Sequence, residues 1–359
     1  MPRSLLGFLV ILTSCAAVGC NVAGPNVIRG GRQVYNDAIV ATNNEQMLSM
    51  IVRMRYQEPF GMLAVASVTA NVRWQASVGG QAGIGPDQNF AGNLVPFSAS
   101  ALVEENPTIS YVPVQGDDYL RQMLSPTPLD MTILVLQSVW YEPHVVALLL
   151  EEINGVRHRT PYNNQSSAQD ARFEQLAQLL SSLSQDGALT WVNVDGKPHS
   201  YALYFRAQRD SDAEDYARLR ELLGFAPLDE LVDEAQHRIV MGVGAQTDEE
   251  VIAIRTRSMY GIFKLAAAAI DVPEEHLEVS LAPRFMIPDD IGFTIRCAER
   301  RPANALVAVQ HHGWWFWIDA TDLKSKMMFC LLEAVVTARV ADAAQGHSQT
   351  PVLTVPVSR

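Results

Sequence analysis

Hydrophobic positions fall into short blocks whose period switches repeatedly between the helical and the strand value. Met47, Leu48, Ile51 and Met54 or Arg55 recur at helical spacing behind Thr42-Asn43-Asn44-Glu45, a capping-box sequence, and Pro59 and Gly61 end the segment. From 63 to 76 the chain is rich in Val, Ala and Thr, and Val68, Ala70, Val72 and Trp74 alternate as the buried face of a strand. Residues 97–104 and 108–114 read as two strands around the turn signal Glu105-Asn106-Pro107. Helices are predicted over 117–124, 129–140 and 143–153, the last stopped by Asn154-Gly155. Another spans 166–185, where Phe173, Leu176, Leu180 and Leu183 keep the helical period and Gly187 closes it.

Strands over 189–194 and 200–205 flank the hairpin signal Asp195-Gly196. Helices over 211–223 and 227–234 follow, then strands over 237–243 and 250–256 with a polar turn between them, then an Ala-rich helix over 258–270. Strands over 292–297, 306–310 and 314–318 come next, the last two joined by His312-Gly313. Thr321 or Asp322 caps a helix with Met328, Leu331, Leu332, Val335 and Ala338 on its apolar face, and 352–357 is a final strand. Helices and strands come in clusters, so the fold class is α+β, with mixed, mainly antiparallel sheets. The predicted organisation is a leader (1–19), a tether (20–38) and α+β regions over 39–210 and 211–359. The division is soft, and a single domain over 39–359 remains open.

The leader departs from these patterns. Arg3 precedes the apolar run Leu5 to Leu12, too short to cross a bilayer, and Ala16-Ala17-Val18-Gly19-Cys20 follows. This ending resembles the lipobox of bacterial lipoproteins, which implies cleavage before Cys20 and lipid, palmitate included, on that cysteine. Leu12-Thr13-Ser14-Cys15 has a similar shape; Gly19 and the longer apolar segment favour Cys20. Asn21 stands where Asp would imply inner-membrane retention, so the resemblance favours the outer membrane. Cys297 and Cys330 are then the remaining thiols, either disulfide-bonded in an oxidising compartment or free.

The net charge of −12 over 359 residues, with no basic block, argues against nucleic acid as a partner and against a polybasic grip on anionic lipid. The membrane is reached through the N-terminal lipid alone. Several tracts resemble an uncharacterised family of bacterial envelope lipoproteins: Asn44-Glu45-Gln46 with Ile51 to Tyr56, Pro107 to Tyr111 with Gln115-Gly116, Thr256-Arg257-Ser258, Gly313 to Asp319 with Asp322 to Lys326, and Pro351 to Pro356. The resemblance spans nearly the whole mature chain, implies one functional unit, and brings no activity or site residues.

Chemical signatures are sparse. Gly79-Gly80-Gln81-Ala82-Gly83-Ile84-Gly85 is followed by Pro86-Asp87-Gln88-Asn89, with neither the helix start nor the lysine of a phosphate loop. His311-His312 would point to opposite faces of a strand, so no metal site is assigned. Asp210-Ser211-Asp212 reads as helix capping and not as a metal-holding motif. Ser258 has no identifiable base, and paired acids such as Glu151/Glu152 and Glu274/Glu275 read as solvated charge. No catalytic residues and no cofactor are assigned. Within Trp314-Trp315-Phe316-Trp317, Trp314 and Phe316 face one way and Trp315 and Trp317 the other; one pair can enter the core, and the other is either buried under the following helix or shown to a partner or a sugar ring, with Trp315 and Trp317 the candidate partner-binding pair. The reading is a lipid-anchored envelope protein, a non-catalytic binding or assembly factor for another envelope protein. The alternative is an envelope hydrolase acting on peptidoglycan, peptide or glycan without a recognisable motif.

Overall fold

The structure, a computed structural model, describes residues 33–69, 72–79, 98–105, 108–114, 117–138, 142–158, 168–194, 196, 199–244, 251–285, 292–346 and 353–356, with side chains over 33–61 and, with short gaps, 120–339. The leader, Cys20 and the glycine-rich stretch beyond Gly79 lie outside the described residues. The first helix, α1 (33–55), is already helical at residue 33, so 33–38 are not part of an extended tether. Thr42 therefore sits inside α1 and caps nothing. Its hydroxyl donates back to the carbonyls of Ala38 (2.9 Å) and Ile39 (3.0 Å), the bond a helical threonine makes when the preceding turn exists. The apolar face is the predicted one: Met47, Leu48, Ile51 and Met54 are buried, and so is Arg55. The Arg55 guanidinium donates to the Pro283 carbonyl and lies 4.2 Å from the centre of the Phe285 ring.

β1 (Met62–Thr69), β2 (Val72–Gly79), β3 (Ser98–Glu105) and β4 (Thr108–Val114) belong to a compact unit formed by Gly61–Gly116 and Arg339–Arg359. In it β1, β4 and the last strand of the chain make an antiparallel sheet, and β2 and β3 pair from Val72↔Glu105 to Gly79↔Ser98. The predicted strand over 63–76 is thus two strands with different partners. β3 and β4, adjacent in sequence, do not pair with each other.

The other unit, Met1–Phe60 with Asp117–Ala338, carries α2 (Asp117–Leu124), α3 (Leu129–Ser138), α4 (Pro143–Leu149), β5 (Leu150–Ile153), β6 (Val156–Arg157), α5 (Ala168–Gln185), β7 (Leu189–Asn193) and β8 (Tyr201–Arg206). It continues through α6 (Asp210–Leu222), β9 (Glu234–Met241), β10 (Val251–Thr256), α7 (Met259–Ala268), α8 (Glu274–Glu278), β11 (Arg296–Ala298), β12 (Ala305–His311) and β13 (Trp314–Asp319). α9 (Leu323–Gly346) and β14 (Leu353–Pro356) complete the chain.

A six-stranded mixed sheet of order β6-β5-β10-β9-β8-β7 organises this unit. β9 and β10 run parallel, so the polar segment between them is a return connection and not a hairpin turn. Because β7 and β8 share this sheet with β9 and β10, the chain does not divide at 210/211; the two compact units divide it elsewhere. The predicted helix over 143–153 stops at Leu149. Leu150–Ile153 pair with β10, and Asn154 (φ 47°) and Gly155 (φ 87°) form the two-residue turn to β6, closing Ile153↔Val156. Asn154 is buried, its Nδ2 donating to the Leu223 carbonyl at 2.7 Å. Sheet pairing outweighed the local helical pattern. The predicted helix over 227–234 is likewise absent, and Glu234 opens β9.

α5 packs against α4 and α6 through Phe173, Leu176, Leu180 and Leu183, all buried. Burying side chains of this size is worth about 1.5–3 kcal/mol each. Among the described residues no helix is long and apolar enough to cross a membrane.

Candidate functional site

The strand pair β12–β13 closes at His311↔Trp314, leaving His312 (φ 45°) and Gly313 (φ 85°) as a two-residue turn with both residues left-handed. This conformation changes the geometry expected of adjacent histidines. Strict alternation holds along a strand, but His312 has left the strand and its ring swings back towards that of His311. The ring centroids are 4.3 Å apart. α1 supplies a third group. Gln57 adopts φ 58°, the amide of Glu58 returns to the Arg53 carbonyl at 2.9 Å, and this left-handed helix ending turns the Glu58 side chain to the hairpin.

The carboxylate of Glu58 lies between the two rings. Oε1 is 2.6 Å from His312 Nε2 and Oε2 is 3.1 Å from His311 Nε2. One ligand-type atom from each of the three residues lies within 4.8 Å of the others. The side chain of His311 is only 12% exposed, and its Nε2 is buried without a hydrogen bond of adequate geometry. Glu58 and His312 are more open to solvent. Arg53 reaches Glu58 Oε2 from the exposed side at 3.6 Å.

Tyr56 backs the cluster. It is buried, its ring meets His311 edge-on at 5.0 Å and Phe316 at 5.9 Å, and its hydroxyl bonds to His276 Nδ1 at 2.8 Å. Beside it, Trp314 Nε1 donates to Glu275 Oε1 at 2.7 Å. The titration behaviour follows from this packing. Burial lowers His311 below the ordinary imidazole value, with His312 adding to the shift and Glu58 opposing it. Burial raises Glu58, but the hydrogen bond to His312 and the charges of His311, His312 and Arg53 outweigh it and leave the carboxyl below its usual range. Burial also lowers His276 and raises Tyr56.

The opposite face of the same sheet carries the tryptophans. Along β13, Phe316 and Ile318 are fully buried, whereas Trp315 and Trp317 are half-buried on the other face. Trp315 is paired with Ala298 and Gln310, Trp317 with Arg296 and Ala308, and all four neighbours are half-buried or exposed. The Arg301 guanidinium lies 5.2 Å from the centre of the Trp315 ring. Of the other pair only Phe316 is buried; Trp314 is half-buried, as Trp315 and Trp317 are.

The remaining sequence candidates are structural. Ser258 caps α7, accepting from the Gly261 amide at 3.1 Å. Arg257 is buried and donates to the Ala147 carbonyl (3.2 Å) and to His158. The Arg257 backbone carbonyl accepts from Thr127 Oγ1 at 2.7 Å. Asp212, in the first turn of α6, accepts from the amides of Gln208 and Arg209, each at 2.9 Å, which is the expected capping role. Glu151, partly exposed, pairs with Arg255 at 2.8 Å, and buried Glu152 accepts from Arg157 Nε (2.9 Å) and from the Gly244 amide (2.6 Å), so Glu152 is internal structure and not solvated charge. Cys297 and Cys330 are free thiols. A small cavity of about 110 Å³ lies beside Pro143, Phe173 and Gln178, and a smaller hollow lies against Leu136 and Trp191.

Sequence reading missed the Glu58–His311–His312 cluster because 254 residues separate Glu58 from His312. The His-Gly pair at a predicted two-residue hairpin was the available signal: such turns take left-handed residues, and that conformation breaks the alternation rule. Comparison of the chain with protein-family models, curated proteins and solved structures found no match.

Proposed function

We propose that this is a lipid-anchored protein of the bacterial envelope, on the outer membrane, that binds another envelope protein through the Trp315/Trp317 face and performs no catalysis. The observation that carries the binding half is the outer face of the β11-β13-β12 sheet, where two half-buried indoles stand beside Arg296 and Arg301. Tryptophan and arginine are the residues most enriched among the energetic anchors of protein interfaces. The lipobox ending at Cys20 and the tracts resembling envelope lipoproteins support the anchoring half.

Two measurements test the reading. Alkyne-labelled palmitate should be incorporated into the wild type and into Cys15→Ser but not into Cys20→Ser; label that persists in Cys20→Ser refutes the anchor. A photo-crosslinking amino acid at position 317 should give a discrete protein adduct in intact cells. The same group at Leu134, which is 64% exposed on α3, should not. Equal labelling from both positions, or none from 317, refutes the interface.

A further inference from the structure

We propose that Glu58, His311 and His312 together bind one divalent cation of the zinc class, through a Glu58 carboxylate oxygen and the Nε2 atoms of both histidines. The site does not depend on the lipid anchor or the tryptophan face, and its test is separate from theirs.

Donor chemistry gives the class. Two imidazoles and a carboxylate suit zinc and its transition-metal neighbours, whereas calcium and magnesium require mostly oxygen ligands. A set of three protein ligands with one position left open is a recurrent zinc arrangement. Distances agree. Ligand atoms about 2.0–2.1 Å from a tetrahedral zinc stand about 3.3 Å from one another. Glu58 Oε2 stands 3.1 Å from His311 Nε2 and Oε1 stands 2.6 Å from His312 Nε2, and one ligand atom from each of the three residues lies within 4.8 Å of the others. Small side-chain rotations suffice.

A carboxylate–histidine ion pair does not account for the whole cluster. One such pair, Glu58 with His312, is well formed. It leaves His311 Nε2 buried and 3.1 Å from the second carboxylate oxygen, in contact with it but poorly aligned for a hydrogen bond. Unsatisfied buried nitrogens of this kind are uncommon in folded proteins. A cation bridging the three groups satisfies that nitrogen. Supporting contacts of the kind metal ligands use are also present: Tyr56 packs on both rings, at 5.0 Å and 5.3 Å, and is itself fixed by His276. The turn residue adds a third argument. Two-residue turns with both residues left-handed favour Asn, Asp or Gly at the first position; histidine there supplies an imidazole that those residues lack. On the exposed side of the site Arg53 approaches the carboxylate, and it competes with a bound cation for the same charge.

The test uses the full-length, untagged protein in detergent, stripped with chelator and titrated with Zn²⁺ alone, with Mg²⁺ and Ca²⁺ as controls. The expected result is one Zn²⁺ per chain, not displaced by excess Mg²⁺ or Ca²⁺. Glu58→Gln and His312→Asn should each weaken binding by more than the roughly 10- to 100-fold that loss of an outer-shell partner costs. Arg53→Ala should strengthen it, because a competing charge is gone. His199→Ala, at an exposed histidine paired with Asp130, should leave it unchanged. The proposal is overturned if the wild type takes up no stoichiometric Zn²⁺ below about 0.1 mM. Binding that survives both ligand substitutions, or that falls equally in His199→Ala, also overturns it.

Discussion

Replacing Tyr56 by phenylalanine removes one oxygen atom and leaves the aromatic ring in place. Tyr56 is 5% exposed and its hydroxyl partner, His276, 7%, so water cannot readily replace the 2.8 Å bond between them. Losing the bond and leaving His276 Nδ1 unpartnered should cost about 1–2 kcal/mol. Tyr56→Ala removes in addition the ring that touches His311, His312, His276 and Phe316, a loss of about 3–5 kcal/mol for a buried aromatic. Urea denaturation followed by tryptophan fluorescence measures both, with Trp314 beside the cluster among the reporters. The midpoint should fall modestly for Tyr56→Phe and by at least twice as much for Tyr56→Ala, with the slope unchanged. If the two substitutions cost the same, the ring contributes nothing beyond its hydroxyl. If Tyr56→Phe costs less than about 0.5 kcal/mol, the buried bond to His276 contributes nothing.

Other outcomes follow from single contacts. Asp212→Ala strands the amides of Gln208 and Arg209 and should cost about 2 kcal/mol in a denaturant melt. Burial raises the Asp212 carboxyl, but those amides and the Arg209 guanidinium outweigh it and hold it below the ordinary aspartate value. A depressed folded value stabilises above the unfolded one and is lost as pH falls through the folded one, so the wild type's advantage over Asp212→Ala should shrink between about pH 5 and pH 2. A gap that widens on acidification would contradict this. Cys330 is exposed, whereas burial pushes the half-buried Cys297 thiol up to about 11, so at pH 8 a disulfide reagent should modify Cys330 quickly and Cys297 slowly; one kinetic phase for both would be wrong. In the absence of metal, His312→Asn exchanges the 2.6 Å pair with Glu58 for a residue that suits the left-handed turn position, so the net change in a denaturant melt should stay within about 1 kcal/mol; a larger loss would show that the pair outweighs the turn preference.

What the sequence revealed depended on how local the deciding interaction was. The helix over Ala168–Gln185, the β12–β13 pair and the inward placement of Phe316 all follow from periodicity and turn residues within a few positions. Asn154-Gly155 shows the limit: the same dipeptide suits a helix end or a hairpin, and pairing with β10, about a hundred residues on, decided it. Thr42 failed for a related reason, because a capping sequence marks a helix start only where the residues before it are not helical. The Trp315/Trp317 face was legible because alternation along one strand sufficed. The histidine cluster was not, because it joins a helix end to a hairpin tip and depends on left-handed residues at both.

The β1-β4-β14 sheet has a consequence for how the chain is made. β4 lies in the middle of three strands only because Leu353–Pro356 align along Thr108–Tyr111. Until those late residues leave the ribosome, one row of β4 amides and carbonyls stays unpaired, a template for any extended segment nearby. A nascent or clipped chain ending before Leu353 would present that sticky border to its neighbours. For this sheet, resistance to aggregation therefore waits on a segment made long after the strand it covers.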